Sequence, residues 1–386
     1  MELKPGYKLT DIGVIPMNWH VSTIGEVASF SGGSQPPRST FKFSPVEGYI
    51  RLIQIRDYKS DEFITYIPKA LARKVCSSQD IMIGRYGPPI FQILQGISGA
   101  YNVALIKATP NQKITRDYLH SILKQEKLFK FIDSLSRRSS GQTGVEMSAL
   151  KSYGLPLPPL AEQALISAAI ADMDALLLAL DKIILKKKSL KQAVLQGLLT
   201  GQTRLPGCSG AWTSGRLSDV ASIAKGAQLK IHDVDEDGQF PHLNGGMRPS
   251  NYTNKSNMKA NTIAISEGGN SCGFVQFMTE AYWCGGHCYS VAPKGIDNRF
   301  LYHALKGRQT EIMALRVGSG LPNVQKSALL SFEIEFPESN LEQIAIAQVL
   351  SEMDSEIDLL EIRRRKMSDL KQGMIQVLLT GKIRLV

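Results

Sequence analysis

Leu190-Lys191-Gln192-Ala193-Val194-Leu195-Gln196-Gly197-Leu198-Leu199-Thr200-Gly201-Gln202-Thr203-Arg204-Leu205 returns 180 residues later as Leu370-Lys371-Gln372-Gly373-Met374-Ile375-Gln376-Val377-Leu378-Leu379-Thr380-Gly381-Lys382-Ile383-Arg384-Leu385. The same shift superposes Glu162-Gln163 on Glu342-Gln343 and Met173-Asp174 on Met353-Asp354, with no gap from Glu162 to Leu205. Self-similarity at a fixed offset marks a duplicated structural unit. Weaker similarity flanks the block. Trp19, Val27-Ala28-Ser29 and Gly33-Ser34-Gln35 pair with Trp212, Val220-Ala221-Ser222 and Gly226-Ala227-Gln228 at a shift of 193, and Ser148-Ala149-Leu150 with Ser327-Ala328-Leu329 at a shift of 179. The chain is two copies of one unit, each a variable segment followed by a more uniform one.

The uniform segments read as long helices. Ile166, Ile170, Met173, Leu177, Leu180 and Ile184 recur at alternating steps of four and three, and Leu190, Val194 and Leu198 resume after a three-residue shift. The second copy offers Ile346, Leu350, Met353, Ile357 and Leu360, then Met367, Leu370, Met374 and Leu378. Each helix follows a proline (Pro159, Pro337) and stops at Thr-Gly (Gly201, Gly381). A helix from Ala161 to Leu199 would run about 58 Å at 1.5 Å per residue, far more than one small core needs. Two such helices with matching seams pack most economically as an antiparallel pair; the alternative is that each lies on its own domain.

The variable segments carry short runs such as Tyr49 to Ile55, Asp80 to Ile83 and Asn102 to Ile106, then Asn261 to Ile265, Gly273 to Phe277 and Cys288 to Val291, which read as strands. A helix closes each, Tyr118 to Phe131 and Phe300 to Leu315. The expected class is α+β: two mixed α/β domains joined and spaced by two long antiparallel coiled-coil helices in an internal pseudo-twofold repeat. The boundaries are 1–159, 160–205 (central helix), 206–338 and 339–386 (C-terminal helix).

A chain of 386 residues with 43% hydrophobic and 21% charged residues fills cores of ordinary size, which excludes wholesale disorder. The longest apolar stretch, Ala164 to Leu180, is broken by Asp172 and Asp174, and the first residues lack a secretion signal, so the expectation is a cytoplasmic protein with no membrane partner. Five Cys do not make a secreted disulfide framework. The net charge of +10 suits a polyanionic partner without proving one.

Catalytic constellations are missing. Thr380-Gly381-Lys382 lacks the glycine and hydroxyl of a phosphate loop, and Gly87-Pro88-Pro89 lacks the Asn, Asp or Ser and the aromatic of an amino-methyltransferase loop. Cys272, Cys284, His287 and Cys288 lack paired zinc-ligand spacing and read better as buried, reduced thiols beside a glycine turn. The runs Lys186-Lys187-Lys188 and Arg363-Arg364-Arg365-Lys366 read as solvated helix faces or as phosphate contacts.

Gly- and Ser-rich loops bearing Arg, Asn and Gln offer the chemistry for reading base edges, since Arg suits guanine and Asn or Gln suits adenine. The candidate DNA contacts are Arg38, Arg51, Gln54, Arg56, Arg85, Tyr86, Arg138 and Gln142 in the first copy, and Asn244, Arg248, Lys255, Asn270, Arg316 and Asn323 in the second. Ordinary surface turns would look the same loop by loop.

Pro158-Pro159-Leu160-Ala161-Glu162-Gln163, Gly197-Leu198-Leu199-Thr200-Gly201, the second-copy partners of both, Thr10 to Pro16 with Trp19, and Gly285-Gly286-His287-Cys288-Tyr289 together resemble the specificity subunit of type I restriction–modification enzymes over essentially the whole chain. The resemblance implies a DNA-reading subunit with no chemistry or cofactor of its own. It implies two target-recognition domains, each reading half of a bipartite site in double-stranded DNA. It also implies two docked adenine-N6 methyltransferase subunits that use S-adenosylmethionine, and restriction subunits that use ATP and Mg. The helix seam, and with it methyltransferase docking, is assigned to Glu162, Gln163, Met173, Leu177, Leu180, Leu190, Leu198, Glu342, Gln343, Met353, Leu360, Leu370 and Leu378. The other readings are a standalone DNA binder, a silent specificity cassette, and a scaffold built on its helices.

Overall fold

The computed structural model describes residues 3–136, 144–318 and 320–385. It divides into two compact units, Met1–Leu178 with Arg365–Val386, and Ala179–Arg364. The divisions fall inside the two long helices, the central Leu160–Leu199 and the C-terminal Asn340–Leu378, so each helix contributes to both units.

In the first unit a four-stranded antiparallel sheet has the order Ala28–Gly32, Leu105–Pro110, Ile81–Gly84, Gln92–Leu94. In the second the order is Ala221–Lys225, Cys288–Pro293, Thr262–Ser266, Val275–Met278, the same first-fourth-second-third arrangement. The runs Ile81-Met82-Ile83 and Ile263-Ala264-Ile265 are buried throughout, because these strands lie inside the sheet with both faces covered. A smaller sheet pairs Tyr49–Ile53 in parallel with Gly99–Tyr101, and its counterpart pairs Phe240–Leu243 in parallel with Trp283–Cys284. The strand expected at Asn102 to Ile106 begins instead at Leu105, because Asn102 turns the chain, its Oδ1 accepting from the Ala104 amide at 3.1 Å.

Each expected closing helix is two helices. Arg116–Leu123 and Glu126–Ser136 break at Lys124-Gln125, and Asn298–Gly307 and Gln309–Ala314 break at Arg308. Both pairs begin at side-chain caps, Thr115 accepting from the Tyr118 amide and Asp297 from the Phe300 amide. The stripes Tyr118, Leu119, Ile122 and Leu123, and Phe300, Leu301, Ala304 and Leu305, bury against their sheets.

The long helices run antiparallel within each unit. In the first, Glu162 meets Arg384 and Asp174 meets Lys371; in the second, Asp181 meets Arg364, Lys187 meets Glu356, Lys191 meets Asp354 and Arg204 meets Glu342. Ile166, Ile170, Leu180, Ile184 and Leu198 are buried, as are Ile346, Leu350, Ile357 and Leu378, while Met173, Leu177, Met353 and Leu360 are half-buried. The expected three-residue shift does not occur, and this corrects two seam assignments. Leu190 is 49% exposed and Leu370 57% exposed, while Lys191 and Lys371 take the seam positions. The steps of four and three continue through Lys187 and Lys191, whose ammonium groups reach Glu356 and Asp354 on the neighbouring helix. Of the basic runs, Lys187, Lys188 and Arg364 are paired, with Glu356, Glu361 and Asp181.

Each unit closes with an Arg–Glu clamp, which a tryptophan N–H joins in the first unit only. Buried Glu162 accepts from Trp19 Nε1 at 2.9 Å and from Arg384 Nε and Nη2 at 2.9 and 2.7 Å. Burial opposes its ionisation, and the Arg384 and Trp19 bonds outweigh burial to hold the carboxyl below its ordinary range. Buried Glu342 accepts from Arg204 Nε and Nη2, both at 2.7 Å. Gln163 takes the Thr115 amide and donates to the Lys113 and Pro158 carbonyls, and Gln343 takes the Asp297 amide and donates to the Pro337 carbonyl. All four side chains are engaged inside their own unit.

An 18-residue window of the central helix has a mean hydropathy of 1.6, enough by length and composition to cross a membrane. The expectation of no such segment counted unbroken apolar residues, whereas the window averages across the interrupting charges. Part of that hydropathy sits on exposed side chains, Leu165, Leu176 and Leu178.

Candidate nucleic-acid interface

In the second unit four loops converge at one end of the larger sheet. Ser266 Oγ and Ser271 Oγ donate to the Gly246 and Gly245 carbonyls, at 3.1 and 2.8 Å. The Glu267 amide donates to the His287 carbonyl at 2.9 Å, and the His287 amide donates to Asn244 Oδ1 at 3.2 Å. Val317 and Asn323 exchange both backbone bonds, at 2.8 and 3.0 Å, and Gly269 donates to the Pro322 carbonyl at 2.9 Å. Close approach requires glycine here: a side chain at Gly245, whose φ is +90°, would meet the His287 carbonyl at 3.1 Å.

This cluster assembles the predicted Asn244, Arg248, Asn270, Arg316 and Asn323. Arg248, Asn270, Arg316 and Asn323 are exposed, while the Asn244 side chain is spent on the loop framework. Lys255 stands elsewhere, paired with Asp233 at 2.6 Å.

The first unit uses the same framework with other side chains. The Arg85 amide donates to the Ala104 carbonyl at 2.8 Å, and the Val145 amide to the Arg85 carbonyl at 3.1 Å. The corresponding second-unit bonds are Glu267 to His287 and Val324 to Glu267, so Arg85 and Glu267 occupy equivalent positions, as do Ala104 and His287. Exposed Arg85 lies over the Tyr86 ring at 5.2 Å, and Arg56 over Phe63 at 5.3 Å, which fixes two guanidinium groups without consuming their donors. Arg38 is exposed at the start of a short helical turn.

Other predicted residues are structural. Arg51 pairs with Asp61 at 2.8 Å and Asp57 at 3.6 Å. Burial pushes the Asp57 carboxyl up. Gln54 caps the turn at Ile55–Tyr58 and donates to Thr65 at 3.3 Å. Arg138 and Gln142 lie outside the described residues.

The shift of 193 has a physical cause. A Cβ at Gly33 would stand 1.9 Å from the Asn102 carbonyl oxygen, and one at Gly226 would stand 2.3 Å from those of Cys284 and Gly285. In both copies the chain leaving the strand Ala28–Gly32 or Ala221–Lys225 passes against backbone that admits no side chain.

Sequence reasoning did not name Lys225, Glu267 or His287 among the DNA contacts, although Glu267 opens one of the glycine-rich loops and His287 was weighed as a metal ligand. Glu267 Oε1 accepts from Lys225 Nζ at 2.7 Å and from the Tyr289 hydroxyl at 2.9 Å, while Oε2 has no partner and faces His287 Nδ1 at 3.9 Å. The signal was present as Gly285-Gly286-His287, but nothing local says that Glu267 lies beneath that turn. The cysteines separate: Cys272 packs in the main core of the second unit, Cys284 and Cys288 in a smaller cluster, and His287 is exposed. Burial pushes the Cys76 thiol up to about 11.

The family described as the type I restriction modification DNA specificity domain matches residues 16–190 and 210–367. A type I specificity subunit of Mycoplasma genitalium is 34% identical over 161 residues, and one of Mycoplasma pneumoniae is also 34% identical over 161. The chain matches 42% and 43% of their lengths, with 40% of its own. The MjaVIII specificity subunit of Methanocaldococcus jannaschii is 24% identical over 409 residues, covering 96% of this chain and 94% of that protein. A solved type I restriction-modification S subunit from M. genitalium shares the fold, with a TM-score of 0.66 at 16% identity over 98% of this chain and 99% of that one. One family matches both copies of the repeat and most of the chain, and the chain belongs to it: the type I restriction modification DNA specificity family.

Proposed function

We propose that this chain is the sequence-reading, non-catalytic subunit of a cytoplasmic type I restriction–modification complex, recognising a bipartite, asymmetric site in double-stranded DNA. The observation that carries this is one backbone framework, built twice, presenting Arg85 and Tyr86 in one copy and Glu267 with His287 in the other. A duplicated scaffold with unlike side chains at equivalent positions suits two unlike half-sites. The chain docks two adenine-N6 methyltransferase subunits, which carry S-adenosylmethionine, and through them the ATP- and Mg-dependent restriction subunits. The exposed apolar side chains of the long helices, Leu176, Leu178 and Leu185 among them, support docking over a standalone binder.

The test is single-molecule sequencing of DNA from a methylation-free host expressing the chain with its methyltransferase partner, against a partner-only control. A new split motif with N6-methyladenine in both parts is expected. No new motif, with both proteins associated, would favour a silent or scaffold role. Binding should weaken steeply with salt, by about 0.9 log units per phosphate contact for each log unit of salt.

A further inference from the structure

We propose that His287, aimed by Glu267, is the base-contacting group of the second unit, donating to an acceptor on a base edge in the major groove, a guanine O6 or N7 or a thymine O4. The proposal rests on the DNA-reading function above and names one residue pair within it.

Glu267 and Arg85 occupy the same backbone position, yet Glu267 does not project. Its Oε1 is pinned by Lys225 and Tyr289, which leaves Oε2 as a buried carboxylate oxygen without a partner, 3.9 Å from His287 Nδ1. The His287 main chain is held on both sides, its amide by Asn244 and its carbonyl by the Glu267 amide, while its side chain is 63% exposed. Gly245 and Gly268 leave the space beside it free, since a Cβ at Gly245 would come within 3.2 Å of the His287 Cβ. The imidazole therefore stands on a rigid base among loops carrying exposed Arg248, Asn270 and Arg316.

The Glu267 carboxylate lies on the Nδ1 side of the ring, so Nε2 is the nitrogen turned away from it, and in the Nε2–H tautomer that nitrogen donates outward. In the first unit Ala104 replaces the imidazole and Arg85 supplies the donor, so the two copies offer different donors from one framework.

The experiment repeats the methylation sequencing with His287→Ala and His287→Gln in the full chain with its methyltransferase partner. It adds competition binding of the purified complex to the wild-type motif, to its single-base variants and to random duplex. His287→Ala should accept any base at one position of one half-site, with about a tenfold loss of preference there, while the other half-site stays unchanged. His287→Gln, which keeps a donor, should keep part of the preference. As the positioning residue, Glu267→Gln should lower the preference at that same position of that half-site while leaving random-duplex binding unchanged. A His287→Ala motif identical to wild type would overturn the inference and leave the DNA-reading function standing. Equal losses on specific and random duplex would reassign His287 to the phosphate backbone and also overturn it. No motif from the wild-type pair would defeat the DNA-reading function and this inference together.

Discussion

Glu162 is 2% exposed and receives three bonds from Trp19 and Arg384, so its removal strands an indole N–H and a guanidinium in a confined place. Glu162→Ala should cost about 3 kcal/mol or more in urea unfolding, and Glu162→Ala with Arg384→Ala less than the two single losses added, because the pair acts as one unit. Two histidines set an acid limit. Burial pushes His303, which is 1% exposed and 3.0 Å from Ser351 Oγ, down to about 4, and burial pushes His120 to about 4 as well. Both are neutral in the folded chain, whereas the unfolded chain binds their protons below about 6.5. Stability should therefore fall as pH drops from about 6.5 toward 4, and His303→Leu should flatten that fall in denaturant titrations across the range. At this scale the clamp was legible in part: repeated Glu-Gln and Arg-Leu pairs marked the residues, but no local pattern says that Glu162 meets an arginine 222 positions away.

Among the elements, the long helices separate pattern from packing. Leu198 is 2% exposed and Leu190 49%. Leu198→Ala should cost about 2–5 kcal/mol and Leu190→Ala under about 1, read by thermal or urea unfolding. Hydrophobicity alone ranked Leu190 above Lys191 for the seam. The structure reverses them because helical phase, carried through Lys187 and Lys191, places the lysines against Glu356 and Asp354. The glycine crossing is the second test. Gly33→Ala and Gly226→Ala should each destabilise by about 2 kcal/mol or more, since their Cβ atoms would overlap backbone carbonyls, while Gly32→Ala, with nothing within 4 Å, should change little.

For the whole molecule, the repeat itself is the prediction. Each long helix belongs to both units, so a whole-turn insertion near Thr200 should change the gap between the two halves of the methylated motif and leave each half intact. A changed half-site with an unchanged gap would contradict the helix as a spacer. The sequence by itself determined the duplication, the two long helices with their glycine stops at Gly201 and Gly381, and the absence of catalytic motifs, because repeats, period and punctuation are one-dimensional properties. Only the tertiary structure decided which residues share a place: Arg85 with Glu267, Ala104 with His287, lysines in the seam and Arg51 in an internal ion pair. These are set by backbone bonds and helical phase between segments far apart in the chain, and no local stretch of sequence carries that information.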